Sequence, residues 1–216
     1  MRVLLVAKRS ARSQRIPTLN QLRHLVFTGP ESIRSRFKDR YKTGLIAEAA
    51  GMRPRSGADP VLFTTNVVIR GLARRIQGLN DEIRIIDAVL RELVTEVAPS
   101  RLELYGVGVD AAAALLVTAG DNPDRLRSEG AWAHLCGVTP VPASSGKTIR
   151  YRLNRGGDRN ANSALYRVVL TRMSSHQETR RYVARRRAEG LSSLEVIRCL
   201  KRYVARQIFK ELPRTT

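Results

Sequence analysis

Two adjacent hydroxyls, Ser144 and Ser145, stand immediately before Gly146, and a run of cations follows: Lys147, Arg150, Arg152, Arg155 and Arg159. An alcohol beside fixed positive charge is the pairing that phosphoryl transfer needs. The oxygen attacks phosphorus, and the ammonium and guanidinium groups offset the charge that builds on the phosphate oxygens. Pro140 and Pro142 exclude a helix ahead of the serines, and Gly146 permits a turn where a side chain would clash, so the hydroxyls are expected on a constrained loop. The same residues also describe a basic surface turn whose serines hydrogen-bond their own backbone. Residue types alone leave both readings open. Tyr151 is a second candidate nucleophile, although it lacks Arg and His companions at a recognisable spacing.

The rest of the composition favours a polyanionic partner. Lys and Arg number 39 against 19 Asp and Glu, a formal charge of +20, and all but six of the cations are arginine. With no acidic tail to balance it, such a chain is expected to bind nucleic acid. Aromatic residues make up only 5%, too few for a surface that stacks successive bases. Cys136 and Cys199 lie far apart in apolar contexts, and His24, His134 and His176 add no metal-spaced cluster, so no metal ligands are assigned and His134 and Cys136 are expected in the core. The apolar run near Met1 stops too early for a signal peptide, and no run approaches a membrane span. The expected setting is a reduced bacterial cytoplasm, in association with the nucleoid, with no membrane contact.

The elements that must position the serines read as mainly α. Residues 1–60 are expected to be helical, with Pro17 interrupting or kinking the first helix, and with Ile33, Phe37, Tyr41, Leu45 and Ile46 marking a weakly amphipathic stretch. Residues 61–101 are expected to form a coiled-coil-like helix, beginning near Asn66. There Leu72, Ile76, Leu79, Ile83, Ile86, Leu90, Leu93 and Val97 alternate steps of four and three. That stripe could fold back on the N-terminal helices or pair with another copy through residues 66–97, and its narrowness favours the second copy. Residues 102–190 form the next segment. A helix enters Gly106-Val-Gly108 and an alanine-rich helix leaves it, which resembles a helix-hairpin-helix whose glycine turn lets backbone N–H groups reach a DNA phosphate. A tight connector is the plainer reading of the same glycines. Asp121 to Asp124 should break the chain and cap a short helix, Trp132 should lie in the core, and Asn160 or Asn162 should cap the helix that follows the loop. Arg180, Arg181 and Arg185 to Arg187 make a cationic run, and residues 191–216 carry a final amphipathic helix with Leu194, Ile197, Leu200, Val204 and Ile208.

Over Leu102 to about Leu212 the order of these features resembles the C-terminal domain of the IS-one-ten insertion-sequence transposases, related to the Piv invertases and described as RNA-guided bridge recombinases. The matching residues are Gly106-Val-Gly-Val with Ala112 to Leu116, Asp121 with Leu126, and Ala131-Trp-Ala. They continue with Cys136-Gly-Val-Thr-Pro140, Ser144-Ser-Gly146, Asn154-Arg-Gly-Gly-Asp158, and Asn162 with Leu165-Tyr. The resemblance implies a coiled coil before this domain and a serine that forms a transient ester with DNA. That role falls on Ser145, with Ser144 second. It also implies that the nearby basic residues hold DNA or a structured guide RNA, and that magnesium is bound by four carboxylates of an N-terminal nuclease-like domain. None of those four maps onto this chain: Glu31, Asp39, Glu48 and Asp59 sit in basic helical or loop stretches. The expectation is a truncated form, or a polypeptide whose missing part another chain supplies. Alone it would bind nucleic acid without completing recombination and would hold no cofactor of its own. The competing expectation is a non-catalytic helix-hairpin-helix module for DNA or RNA.

Overall fold

The computed structural model describes residues 1–216 other than 56, 58, 121–125, 143–150, 153 and 213–216, and excluding the side chain of Lys42. The described chain is mainly α, with one two-stranded antiparallel ribbon. It divides into two compact units, Val6–Ala88 and Met1–Leu5 with Val89–Thr216.

In the first unit, α1 (Arg2–Thr28) contributes most of its length, and α2 (Glu31–Phe37), α3 (Lys42–Ala50) and the first part of α4 (Pro60–Val97) complete it. Pro17 does not interrupt α1. One missing N–H costs a single ladder bond, and burial of Thr18, Leu19 and Leu22 just beyond it retains the helix. Of the residues expected to be apolar-facing in 31–50, Ile33, Phe37, Leu45 and Ile46 are buried, whereas Tyr41 is exposed. The periodic stripe of α4 serves its own chain. Ile69, Ala73 and Ile76 pack with Leu19, Leu22, Ile33, Phe37 and Leu45, and Leu79 and Ile83 pack with Ala11. These positions are therefore filled from within one chain, not held open for a second copy. Lys8, itself buried, pairs with Asp87, and Arg15 donates to Asn80 Oδ1 at 3.0 Å, so polar contacts fix the same α1–α4 register.

The second unit is built around α8 (Arg159–Ser175), which packs against α6 (Val109–Ala119), α9 (Gln177–Ala188) and α10 (Ser193–Lys210). Ala111 to Ala114 of α6 are small and buried, which lets that helix approach α8 closely. α7 (Glu129–Leu135) packs on α10, with Trp132 fully buried and its Nε1–H donating to Ala205 O at 3.0 Å. Trp132 is thus a core residue, whereas His134 points to solvent and only Cys136 of that pair is buried. Asp158, not Asn160 or Asn162, caps α8: its Oδ1 accepts from the N–H groups of Asn160 (2.7 Å) and Ala161 (2.9 Å). α10 begins with a capping box, in which Ser192 N–H donates to Glu195 Oε2 at 2.9 Å and Ser192 Oγ accepts from Glu195 N–H at 3.4 Å. It buries Ile197, Leu200, Val204 and Ile208, but Leu194 is exposed. The break and cap expected at Asp121 to Asp124 lie outside the described residues.

Candidate nucleic-acid interface

Two short strands flank the serine motif in sequence, β1 (Val141–Pro142) and β2 (Tyr151–Arg152), and pair antiparallel with Val141 opposite Arg152 and Pro142 opposite Tyr151. Ser144, Ser145, Lys147 and Arg150 fall between those strands and outside the described residues. The ribbon rests on a polar and glycine-rich foot. Gly137 has φ of +65°, a left-handed conformation that a side chain strains. A Cβ on Gly157 would lie 2.1 Å from the Gly137 nitrogen, so only a glycine lets the two backbones approach. Asp158 N–H donates to Leu135 O at 2.7 Å, and Asn154 Oδ1 accepts from Gly156 N–H at 2.9 Å.

Asn162 ties this foot to α10. Its Nδ2 donates to the carbonyls of Cys136 and Gly137, both at 3.0 Å, and its Oδ1 accepts from Lys201 Nζ at 2.9 Å. All three contacts fit one amide orientation, because carbonyls accept and an ammonium donates. Burial, and then the neighbouring guanidinium of Arg198, lower the Lys201 pKa. Burial, followed by the Asp158 carboxylate, raises that of the Cys136 thiol, which makes Cys136 a packing residue and not a nucleophile.

Between the ribbon and α10 runs a partly open groove of about 810 Å³. Thr139, Pro140, Tyr151, Arg152 and Asn154 line one side, and Arg198, Lys201, Arg202 and Arg206 of α10, with Arg186 of α9, line the other. Among the described residues the lining holds six cations and one carboxylate, Glu195. Carboxylates behind it offset part of the charge: Glu129 pairs with Arg202 (2.8 Å) and Arg206 (2.9 Å), and Glu189 pairs with Arg186. Among the described residues Arg198 forms only a loose ion pair, to Glu195 at 4.0 Å. Arg152, Arg155 and Arg159 are exposed, and no hydrogen bond or ion pair holds any of them among the described residues. A concave surface with surplus guanidinium groups suits phosphate oxygens, which arginine can meet in a bidentate fork. Thr139 Oγ1 and Asn154 Nδ2, at the ribbon foot, are buried without a hydrogen-bond partner among the described residues.

The glycines of the Gly106-Val-Gly108 turn do different things. Gly106 has φ of +77°, and a Cβ there would meet Val168 O at 3.3 Å, so it permits a close approach to α8. The carbonyl before it, Tyr105 O, accepts from Arg172 Nε at 2.8 Å, and Arg172 also donates to Gln207 Oε1. Gly108 precedes α6 without a side-chain cap, and a Cβ there would meet nothing within 4 Å. The helix before the turn, α5 (Pro99–Glu103), is a short one.

Sequence reasoning did not single out Asn162 as a tie, nor Arg198, Lys201, Arg202 and Arg206. The signal was present. Arg198, Arg202 and Arg206 recur at steps of four, one basic stripe of α10, while Lys201 falls within the apolar stripe between Ile197 and Ala205. Among the described residues no three His, Cys, Asp or Glu side chains converge, Glu31 is bonded to Arg34, and Glu48 to Arg36 (2.9 Å) and Arg40 (2.7 Å). Among the described residues no helix is long and apolar enough to cross a membrane.

The second unit is a basic helical domain whose ribbon and α10 line a cationic groove. Residues 102–184 match the family model of the transposase IS116/IS110/IS902 family. It is 29% identical over 146 residues to the insertion element IS110 uncharacterized 43.6 kDa protein of Streptomyces coelicolor, a match covering 66% of this chain and 36% of that protein. It is 28% identical over 138 residues to the insertion element IS900 uncharacterized 42 kDa protein of Mycobacterium paratuberculosis, covering 62% of this chain and 35% of that one. The match thus spans about a third of the length of these curated relatives.

Proposed function

We propose that the chain binds DNA and acts in transposition or site-specific recombination, with Ser145 as the nucleophile on a DNA phosphodiester and Ser144 as the second candidate. The Oγ–phosphorus bond forms as the bond from phosphorus to one deoxyribose oxygen breaks. The serine proton is released to solvent, the departing oxygen takes one up to become a hydroxyl, and the ester conserves the energy needed to rejoin a strand. The observation that carries the reading is the groove with six cations, lined by the ribbon whose strands lead into and out of the serine motif. The match of residues 102–184 to a transposase family supports DNA as the partner. A structured guide RNA is a further partner that the resemblance implies and that the same cations would suit. The internal burial of the α4 stripe does not favour a homo-oligomer through residues 66–97.

The second reading is a non-catalytic DNA- or RNA-binding module. It is favoured by the Gly106 turn leading into α6, whose first N–H groups have no side-chain cap. Ser145→Ala separates the two. Incubation with DNA followed by denaturation should trap a covalent adduct with the parent chain and none with Ser145→Ala, at equal binding affinity. An adduct that survives in both Ser145→Ala and Ser144→Ala, or that moves to Tyr151, overturns the assignment.

A further inference from the structure

The least expected group in the second unit is a lysine with no acid beside it. Lys201 is buried on α10, lines the groove, and has its only recorded polar partner among the described residues in the neutral Asn162. An ammonium carries three N–H donors. One is used, so two are left in a space from which most water is excluded. Burying an uncompensated cation is costly, and the usual remedy is a carboxylate. Here the near neighbour is another cation, Arg198, which depresses the lysine further. Both carboxylates close to this stretch of α10 are turned to other partners: Glu129 to Arg202 and Arg206, and Glu195 to Ser192. The fold has therefore kept a cation at the groove floor where stability alone would favour an apolar residue, and has aimed it with Asn162.

We propose that Lys201, with Arg198 and Arg152 lining the same groove, forms the binding site for one phosphodiester of bound DNA. The Lys201 ammonium donates to a non-bridging oxygen of that phosphate. Asn162 is a positioning residue: it fixes the Nζ position through its own bonds to the carbonyls of Cys136 and Gly137. The proposal rests on DNA being the partner, but not on Ser145 being the nucleophile. A phosphate seated here compensates the buried charge, so DNA binding and the protonated state of Lys201 reinforce each other.

The test reads the lysine itself. Six lysines give six ammonium signals in a chain labelled with nitrogen-15 lysine, and substitution of each assigns them. Titration with dimethyl phosphate, and then with a short DNA duplex, should shift the Lys201 signal saturably. Lys201→Met should fold, because a flat apolar chain replaces a buried charge, and should bind the duplex roughly ten- to a hundredfold more weakly, the scale of a lost charged hydrogen bond. Its log-affinity against log-salt slope should fall by about one. A Lys201 signal that stays still while other lysines shift overturns the proposal, as does Lys201→Met with unchanged affinity and slope. A shift with RNA oligonucleotides but not with DNA overturns the assignment to DNA. Loss of the covalent adduct in Ser145→Ala is a separate result, so failure of the serine assignment and failure of the phosphate site are told apart.

Discussion

Replacing Asn162 by alanine tests the joint between the ribbon foot and α10. The substitution removes two hydrogen bonds to backbone carbonyls and the single recorded acceptor of Lys201. Neutral hydrogen bonds contribute about 0.5–1.5 kcal/mol each and one to a charged group about 1.5–3 kcal/mol. Partial relaxation and water entry reduce that sum, so Asn162→Ala should destabilise the chain by about 2–4 kcal/mol. The decisive comparison is a double-mutant cycle with Lys201→Met. Part of the alanine cost is an ammonium left without an acceptor, and removing the ammonium removes that part. The pair should then be less destabilised than the sum of the single changes by about 1–2 kcal/mol. Urea unfolding followed by fluorescence suits this measurement, because Trp132 is the only tryptophan, is fully buried, and bonds to α10 itself. Strict additivity, or an Asn162→Ala cost below about 0.5 kcal/mol, would refute the idea that Asn162 holds the lysine in place.

Gly157→Ala should cost about 1–3 kcal/mol or more, because its new Cβ meets the Gly137 backbone, while Gly156→Ala, facing only Asn154 Oδ1 at 3.5 Å, should stay within about 0.5 kcal/mol on the same assay. Glu31, Glu48 and Glu195 are all held below the ordinary carboxylate range, first by hydrogen bonds from Arg34, Arg36 and Ser192 respectively. Lowered folded-state values mean a contribution that is complete above the unfolded-state pKa of about 4.3 and is lost as pH falls through the folded value. The urea midpoint should therefore fall below about pH 4.3. The loss should be small, since Glu31 and Glu195 are exposed, Glu48 is half-buried, and salt screens such pairs.

Much of the architecture was legible in residue spacing. The α4 stripe announced its helix through steps of three and four, the final helix through its apolar positions, and Trp132 through its size. What those patterns could not supply was the partner. A heptad seam and a helix that folds back on its own chain bury the same face, and the choice depended on whether α1 to α3 offered a matching apolar surface, which Leu19, Leu22, Ile33 and Phe37 do. The cap of α8 was misassigned by two to four residues, because Asp158, Asn160 and Asn162 are all competent caps and only the turn at Gly156-Gly157 decides among them. The site was legible in part. Arg152 and the cationic run containing Arg186 were conspicuous in the sequence, but the groove also needs residues of α10 far along the chain, and a lone lysine in an apolar stripe does not say which way its ammonium points.

Photocrosslinking locates the DNA most directly. A bromodeoxyuridine-containing duplex would be irradiated with the intact chain, and the attached peptides identified by mass spectrometry. Crosslinks concentrated in residues 139–155 and 198–206, and competed away by salt, are the predicted result. Crosslinks confined to the 6–88 unit, with the groove peptides unmodified, would contradict the claim that this groove receives the DNA backbone.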